Sequence, residues 1–337
     1  MVTIRDVARL AGVSMTTVSR AFNEHTVIKA ETRQRILQVA RETGYVPNYN
    51  ARSLVTNKKY TLGIFFSTLT DGTSQSFLSD IINAAYTAVP ENYLLTVNGI
   101  NRIDSVADMV ASRMDGVIVV SQSEKDAQFI YEAKSLQVPL VVINRQLNDT
   151  GIANVASDDA AGVHLGLDYI AQCGHRKVGM IQGMPGFTSA LLRRQGFDQG
   201  VIDNHLIAVP EAIRVGDYSS QTGQEQMAAI LALPEDIRPT CVVCANDDMA
   251  IGALRACYLA GLHLPEDMSV LGFDGSFYAS MHNPAITTIA KPIGDMVALA
   301  ITHLMEQIDT PDMPRMHLRL PPRLVVRESI AQLKGEA

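Results

Sequence analysis

The sequence predicts an α/β protein in which a small all-α head precedes a two-lobed body with two parallel, doubly wound sheets. Three observations support this fold class. Near the N-terminus, apolar residues recur at helical spacing on both sides of a glycine. From Thr61 onward, short apolar runs alternate with helical patterns, and this alternation occurs in two successive sets. The length of 337 residues exceeds one ordinary domain and suits a head plus two lobes.

The stretch from Thr3 to Asn23 has the pattern of a helix-turn-helix. One apolar stripe runs along the first helix and consists of Ile4, Val7, Ala8 and Ala11. Thr3 can cap this helix, and Gly12 permits the tight turn that follows. Ser14 is a good N-cap for the second helix, which turns Val18 and Ala21 inward. The spacing therefore predicts two short helices that cross closely.

The outer face of the second helix carries the residues expected to read DNA, which are Met15, Thr16, Thr17 and Arg20. In a helix-turn-helix, the N-terminal end of the second helix reaches the base edges. Arg20 can pair bidentately with guanine, Thr16 and Thr17 can contact base edges or phosphates, and Met15 can contact a thymine methyl group. A small helical domain without this role is the alternative for the periodicity alone.

A third helix is predicted from Ala30 to Thr43, with Lys29 at the position where a capping side chain is expected. Farther along, Asn48 can cap a short helix that ends near Thr56 and has Ala51, Leu54 and Val55 on one face. About two turns of helix are not stable alone in water, so this segment should form only on a partner or on DNA. A plain linker is the alternative.

The charge is divided unevenly along the chain. The formal net charge is −7, but residues 1–59 contain ten Lys or Arg against four Asp or Glu, a net charge of +6. The remainder contains 18 against 31, a net charge of −13. A basic head on an acidic body is expected when only the head meets phosphate. Because no apolar run approaches about 18 residues and no secretory signal precedes the head, we expect no membrane span and a cytoplasmic location.

The sequence contains no pattern typical of a metal, cofactor or catalytic site. Cys241 and Cys244 form a C-x-x-C pattern, but they lie in an apolar run that reads as a buried strand, where positions i and i+3 face opposite sides. We therefore expect core cysteines and no metal site. The adjacent acids Asp158-Asp159 and Asp247-Asp248 are more typical of caps and turns than of an acid–base pair, and no nucleophile motif accompanies a histidine. The sequence thus predicts no enzyme and no cofactor.

The body reads as two sets of strands and helices. The predicted strands are Leu62–Phe66, Leu94–Val97, Val117–Val120, Leu140–Ile143, Val178–Ile181, Ala212–Val215, Cys241–Ala245 and Ser269–Phe273. The predicted helices are Phe77–Val89, Ser105–Arg113, Glu124–Leu136, Asp159–Cys173, Leu191–Ile202, Ser220–Leu231 and Met249–Ala260. The tail, from Thr288, should hold a strand, a helix Ile293–Ile308 and a strand near Pro322 to Arg327.

Polar side chains follow several of these strands, where ligands of open α/β sheets are bound. Asn144-Arg145, Asn246-Asp247 and Asp274 each follow a strand, and Arg193 lies in the helix after a Gly-Met-Pro-Gly turn. Acceptors, guanidinium donors and an aromatic face at Tyr218 or Phe277 suit a polyhydroxylated ring, because each hydroxyl both donates and accepts. Each of these residues could instead serve only as a turn former.

The stretches TIRDVARLAGVS, TTVSRAFN, GYVPNYNARSL, VCANDDMAIGALRA and SVLGFDG together resemble the LacI/GalR family of lac repressor-type transcriptional regulators. The resemblance extends from Val2 to about Arg327. It implies a periplasmic-binding-protein-like body, a hinge helix whose leucine enters the minor groove beside its dimer mate, and an effector site in the cleft. The stretch from Leu69 to Phe77 departs from the aromatic-rich pattern common in that loop of the family.

With this resemblance, we expect a sequence-specific repressor controlled by a small effector, a sugar or sugar derivative. The expected DNA-binding residues are Thr3, Ser14, Met15, Thr16, Thr17, Arg20, Asn23, Asn48, Ala51 and Leu54. The expected effector-binding residues are Phe77, Asn144, Arg145, Ser189, Arg193, Tyr218, Asn246, Asp274 and Phe277. The partners would be operator DNA and a second copy in a homodimer, because the tail lacks the leucine heptads of a tetramer.

The expected domains are a head at 1–47, a hinge and linker at 48–59, a first lobe at 60–157 and 290–319, and a second lobe at 158–289 and 320–332. Two other classes remain open at this point. A solute-binding module of the transport type shares the two-lobed body but should carry a secretory signal or lipid anchor where this chain has the helix-turn-helix. An α/β enzyme would be revealed by turnover of a sugar.

Overall fold

The computed structural model describes residues 2–22, 28–45, 58–70 and 72–333, and it divides into a compact unit up to Tyr60 and another from Thr61. In the first unit, the helices are α1 (Ile4–Ala11), α2 (Met15–Ala21) and α3 (Ala30–Thr43). Their common core consists of Val7, Ala8, Ala11, Val18, Ala21, Ile36 and Ala40. These are the inward positions that helical spacing predicts for α1 and α2.

Local capping explains where the first helices begin and end. The backbone N–H and the hydroxyl of Thr3 both donate to Asp6 Oδ2, at 3.0 and 2.7 Å, which fixes the start of α1. Gly12 ends α1 with a φ of 64°, a left-handed conformation that favours glycine. The Lys29 side chain makes no capping hydrogen bond at the start of α3.

The second unit contains the strands and the remaining helices. The strands are β1 (Thr61–Phe66), β2 (Leu94–Gly99), β3 (Gly116–Val120), β4 (Leu140–Ile143), β5 (Ala153–Ser157), β6 (Lys177–Gln182), β7 (Ile207–Val215), β8 (Cys241–Cys244), β9 (Ser269–Asp274), β10 (Thr287–Ala290), β11 (His317–Leu320) and β12 (Arg323–Val325). The helices are α4 (Gln75–Ala88), α5 (Ala127–Ser135), α6 (Asp159–Gln172), α7 (Thr188–Asp203), α8 (Ser220–Leu231), α9 (Asp247–Leu259), α10 (Phe277–Met281) and α11 (Ile293–Asp309).

Within the described residues, these strands form two six-stranded sheets. The order is β11-β5-β4-β3-β1-β2 in the first sheet and β12-β10-β9-β8-β6-β7 in the second. We call each sheet with the helices packed on it the first lobe and the second lobe. Helix α11 packs on α4 and on β3, β4 and β5, so the chain returns to the first lobe after β10. The parallel α/β class predicted from the sequence is therefore confirmed.

The second sheet is covered on both faces, and each face has its own core. Helices α6 and α7 pack on one face with Cys241, and helices α8 and α9 pack on the other with Cys244. The two sulfurs therefore face opposite sides of β8, as the strand spacing predicts. The described part of the chain contains no group of three His, Cys, Asp or Glu that could hold a metal ion.

The tail of the chain differs from the prediction in one strand and in one strand direction. Strand β11 was not predicted, because this edge strand is largely exposed and has no continuous apolar run. Two residues later, β12 joins the second sheet antiparallel to β10. The carboxyl edges of the two sheets face each other, so a chain that leaves the first sheet directly must enter the second sheet in the opposite direction.

Three smaller differences concern irregular segments. Strand β7 begins five residues earlier than predicted, and its pairing with β6 shifts register between Val178 and Met180. The predicted helix Ser105–Arg113 is a π-helical turn, Ala107–Ala111, and the short helix α10 was not predicted. Single helical turns also occur at Ile100–Arg102 and Glu124–Asp126. None of the described helices combines the length and apolar character needed to cross a membrane.

Candidate functional site

The head places the predicted recognition residues on one exposed face of α2. Ser14 Oγ accepts a hydrogen bond from Thr17 N at 3.1 Å and so caps the helix. Met15 is 46% exposed, and Thr16 and Arg20 are exposed as well. Thr17 is half-buried, and its hydroxyl lies 2.8 Å from that of Ser14, so part of its hydrogen-bonding capacity serves the cap.

Four predicted DNA-binding residues lie outside the described residues: Asn23, Asn48, Ala51 and Leu54. The whole predicted hinge helix falls in this part of the chain. Thr3 is exposed, and it caps α1 through the Asp6 carboxylate. The described head thus presents α2 with an exposed N-terminal half and a buried inner side at Val18 and Ala21.

Between the two lobes lies a small cavity, here called the inner cavity. It is lined by Gly72, Ser74, Phe77, Gln122, Asn144, Ser189, Arg193, Tyr218, Asn246 and Asp274. Seven of the nine predicted effector-binding residues are among these, and they come from the carboxyl ends of both sheets and from the helices that follow. This is the edge at which open α/β sheets bind ligands.

Arg193 lies at the centre of the inner cavity and is held by two carboxylates. Its Nε donates to Asp159 Oδ2 at 2.9 Å, its Nη2 lies 3.2 Å from Asp274 Oδ1, and its Nη1 donates to the carbonyl of Ala245. The guanidinium also stacks on the ring of Phe273, 3.8 Å from its centroid. Burial opposes its charge, but the two carboxylates outweigh this and raise the pKa of Arg193 above its usual range.

Lys291 connects this charged group to the first lobe. Its Nζ donates to Asn144 Oδ1 at 2.6 Å and lies 3.4 Å from Asp159 Oδ1, an ion pair without hydrogen-bond geometry. The side chains of Lys291 and Asp159 are 1% and 3% exposed. Burial acts to raise the pKa of Asp159, but Lys291 and Arg193 outweigh it and hold that pKa below its ordinary value. Burial lowers the pKa of Lys291.

Two further buried acids lie close together near Arg193. Asp274 lines the inner cavity, and Asp247 lies beside Asp274. Burial raises the pKa of Asp274 to about 7, although Arg193 opposes the shift. Burial also raises the pKa of Asp247 to about 6, although this carboxylate accepts hydrogen bonds from Ser276 N at 2.7 Å and Thr288 Oγ1 at 2.6 Å. Asp247 fits only because position 272 is glycine, since a Cβ there would lie 2.2 Å from its Oδ1.

Three residues that line the inner cavity have a backbone conformation that side chains rarely adopt. The φ angles are 75° at Asn144, 73° at Tyr218 and 111° at Asp274. Such residues cost about 1–3 kcal/mol each and concentrate at binding and switch sites. At Tyr218, the conformation brings the hydroxyl to 2.9 Å from Ser189 Oγ, and glycine at position 183 leaves room for the ring.

Two of the nine predicted effector-binding residues lie outside the inner cavity. Arg145 is buried, its Nε donates to Ser121 Oγ at 2.8 Å, and it does not line the inner cavity. Phe277 is 67% exposed and does not line the inner cavity. It borders another groove with Asp80, Lys291 and Asp274, the last of which lines both. The geometry therefore gives neither residue a place beside Arg193.

Five residues of this region were not predicted from the sequence: Gly72, Ser74, Gln122, Asp159 and Lys291. Gln122 and Ser74 lie in loops after β3 and β1, and no motif distinguishes them from ordinary turn residues. The pair Asp158-Asp159 gave a partial signal. Asp158 Oδ1 accepts from Ala161 N at 3.1 Å and caps α6, as expected of adjacent acids, but Asp159 enters the buried charged group.

Comparison with known families agrees with this architecture. A sequence model of the lacI family of bacterial regulatory proteins matches residues 3–48, and a model of the periplasmic binding protein-like domain matches residues 167–330. The chain is 38% identical over 333 residues to a probable HTH-type transcriptional repressor ExuR of Bacillus subtilis (strain 168), covering 99% of each chain. It is 31% identical over 336 residues to the HTH-type transcriptional repressor PurR of Pasteurella multocida (strain Pm70), covering 98% of this chain and 99% of that protein.

Solved structures show the same fold. A lac repressor dimer bound to operator and the anti-inducer ONPF aligns with a TM-score of 0.78 at 28% identity, covering 98% of this chain and 99% of that chain. A LacI family transcriptional regulator from Enterococcus faecium with bound ribose aligns with a TM-score of 0.71 at 25% identity, covering 81% of this chain and all of that chain. Both similarities extend over the two-lobed body.

Proposed function

The chain belongs to the LacI family of bacterial transcriptional regulators, and we propose that it is a homodimeric repressor whose operator binding is controlled by a sugar or sugar derivative bound between the lobes. Its relatives are transcriptional repressors, so the chain is a transcriptional repressor and not an enzyme. The observation that carries the effector proposal is the convergence of Arg193, Asn246 and Asp274 on one small cavity between the two sheets.

The inner cavity has the chemistry that a polyhydroxylated ligand needs. Asp274 and Asn144 supply acceptors, Arg193 supplies a donor, and the hydroxyls of Ser189 and Tyr218 can do both. Three of the five guanidinium N–H groups of Arg193 donate to Asp159, Asp274 and Ala245, and its charge is paired with the buried Asp159 carboxylate. This arrangement favours a neutral hydroxylated ring over a multiply charged anion.

The size of the inner cavity suggests how the effector acts. Its volume is about 20 Å³, enough for a water molecule, whereas ligand pockets measure about 300–1,000 Å³. A sugar ring can therefore bind beside Arg193 only if the lobes separate or their side chains move. In that case the effector has a different affinity for the two arrangements, which is the condition for shifting an allosteric equilibrium.

Among the polar contacts that join the lobes in the described part of the chain, three would change in such a movement. Lys291 donates to Asn144, Thr188 N donates to the carbonyl of Gln122 at 2.9 Å, and Ser76 Oγ donates to Asp248 Oδ1 at 2.5 Å. Each contact joins one lobe to the other. We propose that the effector alters these contacts and so changes the relation between the two first lobes of the dimer and the paired hinge segments.

Dimerisation is proposed on two grounds. A helix-turn-helix of this type reads paired half-sites, which match the two-fold symmetry of a dimer. Phe277 and Met281, which are 67% and 70% exposed on α10, are large apolar side chains of the kind that a partner covers. We propose the domain boundaries given above and a cytoplasmic location on the same functional grounds, because the chain must reach DNA.

The test uses the full chain in two steps. Thermal unfolding is measured with neutral sugars, sugar phosphates and purines, and a ligand that binds the native state should raise the melting temperature. Operator affinity is then measured by fluorescence anisotropy with and without that ligand. An inducer lowers the affinity and a corepressor raises it. A ligand that stabilises the protein but leaves operator affinity unchanged would contradict the proposed control by an effector. If the chain binds no DNA sequence specifically, the proposal that it is an operator-binding repressor fails.

A further inference from the structure

A loop at residues 121–123, here called the β3 loop, follows β3 at the carboxyl edge of the first sheet and touches the second lobe. The carbonyl of Gln122 accepts a hydrogen bond from Thr188 N at 2.9 Å, and Ser123 forms an isolated antiparallel bridge with Phe187. Gln122 also lines the inner cavity. A displacement of the β3 loop would therefore change the wall of the cavity and the contact between the lobes together.

The β3 loop also orients Asn144, which joins the lobes through Lys291. Asn144 Nδ2 donates to the carbonyl of Ser121 at 2.9 Å, and Asn144 Oδ1 accepts from Lys291 Nζ at 2.6 Å. Since the nitrogen of an amide only donates and its oxygen only accepts, the bond to Ser121 turns the oxygen toward Lys291. Two of the contacts between the lobes thus depend on the position of one short loop.

Asp126 fixes the position of the β3 loop with one carboxylate oxygen. The hydroxyls of Ser67 and Ser121 donate to its Oδ2 at 2.6 and 2.8 Å. The backbone N–H groups of Gln122 and Ser123 donate to the same oxygen at 3.1 and 3.2 Å. Asp126 is 3% exposed, and hydrogen bonds to a carboxylate are about twice as strong as those between neutral groups. Because Ser67 follows β1, the carboxylate ties the loop to the end of the neighbouring strand.

Arg145 supplies the opposite charge. The arginine is 8% exposed, and its Nε donates at 2.8 Å to Ser121 Oγ, the hydroxyl that in turn donates to Asp126 Oδ2. Ser121 thus connects a buried cation to a buried anion. An ion that is removed from water is costly unless an opposite charge compensates it, so each of the two charges offsets the burial of the other.

We propose that Asp126 and Arg145 are positioning residues that act through Ser121 to hold the β3 loop against the second lobe, and so set how readily the lobes part. Neither of the two lines the inner cavity, so their action on the site is indirect. The consequence for the effector rests on the proposed function. An effector that requires the lobes to part should bind more tightly when this hold is weakened.

The test measures hydrogen–deuterium exchange of the full chain without ligand, resolved to single residues by mass spectrometry. The Thr188 amide donates across the lobes to Gln122, so its exchange rate reports how often that contact opens. Asp126→Asn keeps the shape of the side chain but removes its charge, and Arg145→Met removes the opposite charge. Each variant leaves one buried charge uncompensated, so each should raise the exchange rate of Thr188 about ten-fold or more.

The double variant tests whether the two residues act together. It removes both charges and leaves no uncompensated ion, so its effect on the Thr188 rate should be smaller than the product of the two single effects. Effects that multiply would overturn the link through Ser121. The variant Ser121→Ala removes only the connecting hydroxyl and should also speed exchange at Thr188, which keeps the proposal testable if a charge variant fails to fold. An unchanged rate in Ser121→Ala would overturn the link as well.

The matched control is Ile130→Val, which shortens a fully buried side chain of α5 in the same lobe. It weakens the core of the first lobe and should leave the Thr188 rate within about two-fold of that of the unaltered chain. Amides of β8 in the second sheet serve as the reference for unfolding of the whole chain. If Asp126→Asn speeds exchange at Thr188 no more than Ile130→Val does, or speeds it equally in β8, the positioning role is overturned. Because no ligand is present, that result leaves the proposed function standing.

Discussion

Lys291 and Asn144 join the two lobes by a hydrogen bond of 2.6 Å between Nζ and Oδ1. Lys291 follows β10 of the second sheet, and its backbone N–H donates to the carbonyl of Asp274 at 3.0 Å, so it is anchored beside the cavity floor. Asn144 follows β4 of the first sheet and lines the inner cavity. A change at the proposed effector site would thus have a direct polar connection to the contact between the lobes.

Replacing Lys291 should lower the free energy of unfolding, because it breaks the buried contacts of Lys291 with Asn144 and Asp159. In Lys291→Met, Asp159 and Asn144 lose a partner, although Arg193 still pairs with Asp159. We expect the free energy of unfolding to fall by about 3 kcal/mol, the lower end for a broken buried ion pair. Urea titration measures the change. The control Lys134→Met breaks the half-exposed pair with Asp149 and should cost less than about 1 kcal/mol. Equal losses of unfolding free energy in the two variants would show that the Lys291 contacts contribute no more to stability than a half-exposed ion pair.

The stability of the body should depend on pH through Asp274. Its pKa is raised to about 7 from an ordinary value of 3.8, so the folded chain keeps a proton that the unfolded chain loses. This contribution to stability is fully present below about pH 4 and is lost as the pH rises through about 7. Asp274→Asn should therefore flatten the decrease in unfolding free energy between pH 5 and about pH 8, measured by urea titration.

An exposed acid provides the control for this experiment. The hydrogen bond from Lys134 lowers the pKa of Asp149, so its contribution changes only at acid pH and Asp149→Asn should leave the slope between pH 5 and about pH 8 unaltered. A slope that stays the same in Asp274→Asn would mean that Asp274 is ionised in the folded state throughout this range.

In the head, Arg20→Ala should reduce the preference for operator over non-specific DNA. A lost bidentate contact with guanine costs about 1–3 kcal/mol, or about 5-fold to 150-fold in that preference, while the fold survives because Arg20 is exposed. Competition binding with operator and unrelated DNA measures it. Arg35→Ala, an exposed arginine of α3, serves as the control and should affect both DNAs alike. If Arg20→Ala prefers operator over unrelated DNA as strongly as the unaltered chain, Arg20 does not read the operator sequence.

Leu54 belongs to the predicted hinge and lies outside the described residues. If it wedges into the minor groove at the operator, Leu54→Ala should weaken specific binding much more than non-specific binding. The two affinities are measured at one salt concentration, since non-specific binding depends strongly on salt. Equal losses would indicate that the segment is only a linker.

The sequence by itself determined the helices of the head, the order of most body elements and seven residues of the inner cavity. Helical spacing and capping are local, so Thr3, Gly12 and Ser14 act through neighbours that are visible in the chain. The ends of buried parallel strands are also visible, because each apolar run stops at a polar residue such as Asn144, Asn246 or Asp274.

Only the tertiary structure decided which charges meet. Asp159 and Lys291 are 132 positions apart in the numbering, and neither carries a motif that distinguishes a cap or a surface lysine from a buried pair. Their roles, like those of Gln122 and Ser74, depend on how the two sheets face each other. Arg145 and Phe277 were predicted to line the cavity, but the structure places both outside it. Side-chain direction at a strand end depends on backbone angles and packing, which residue type alone does not fix.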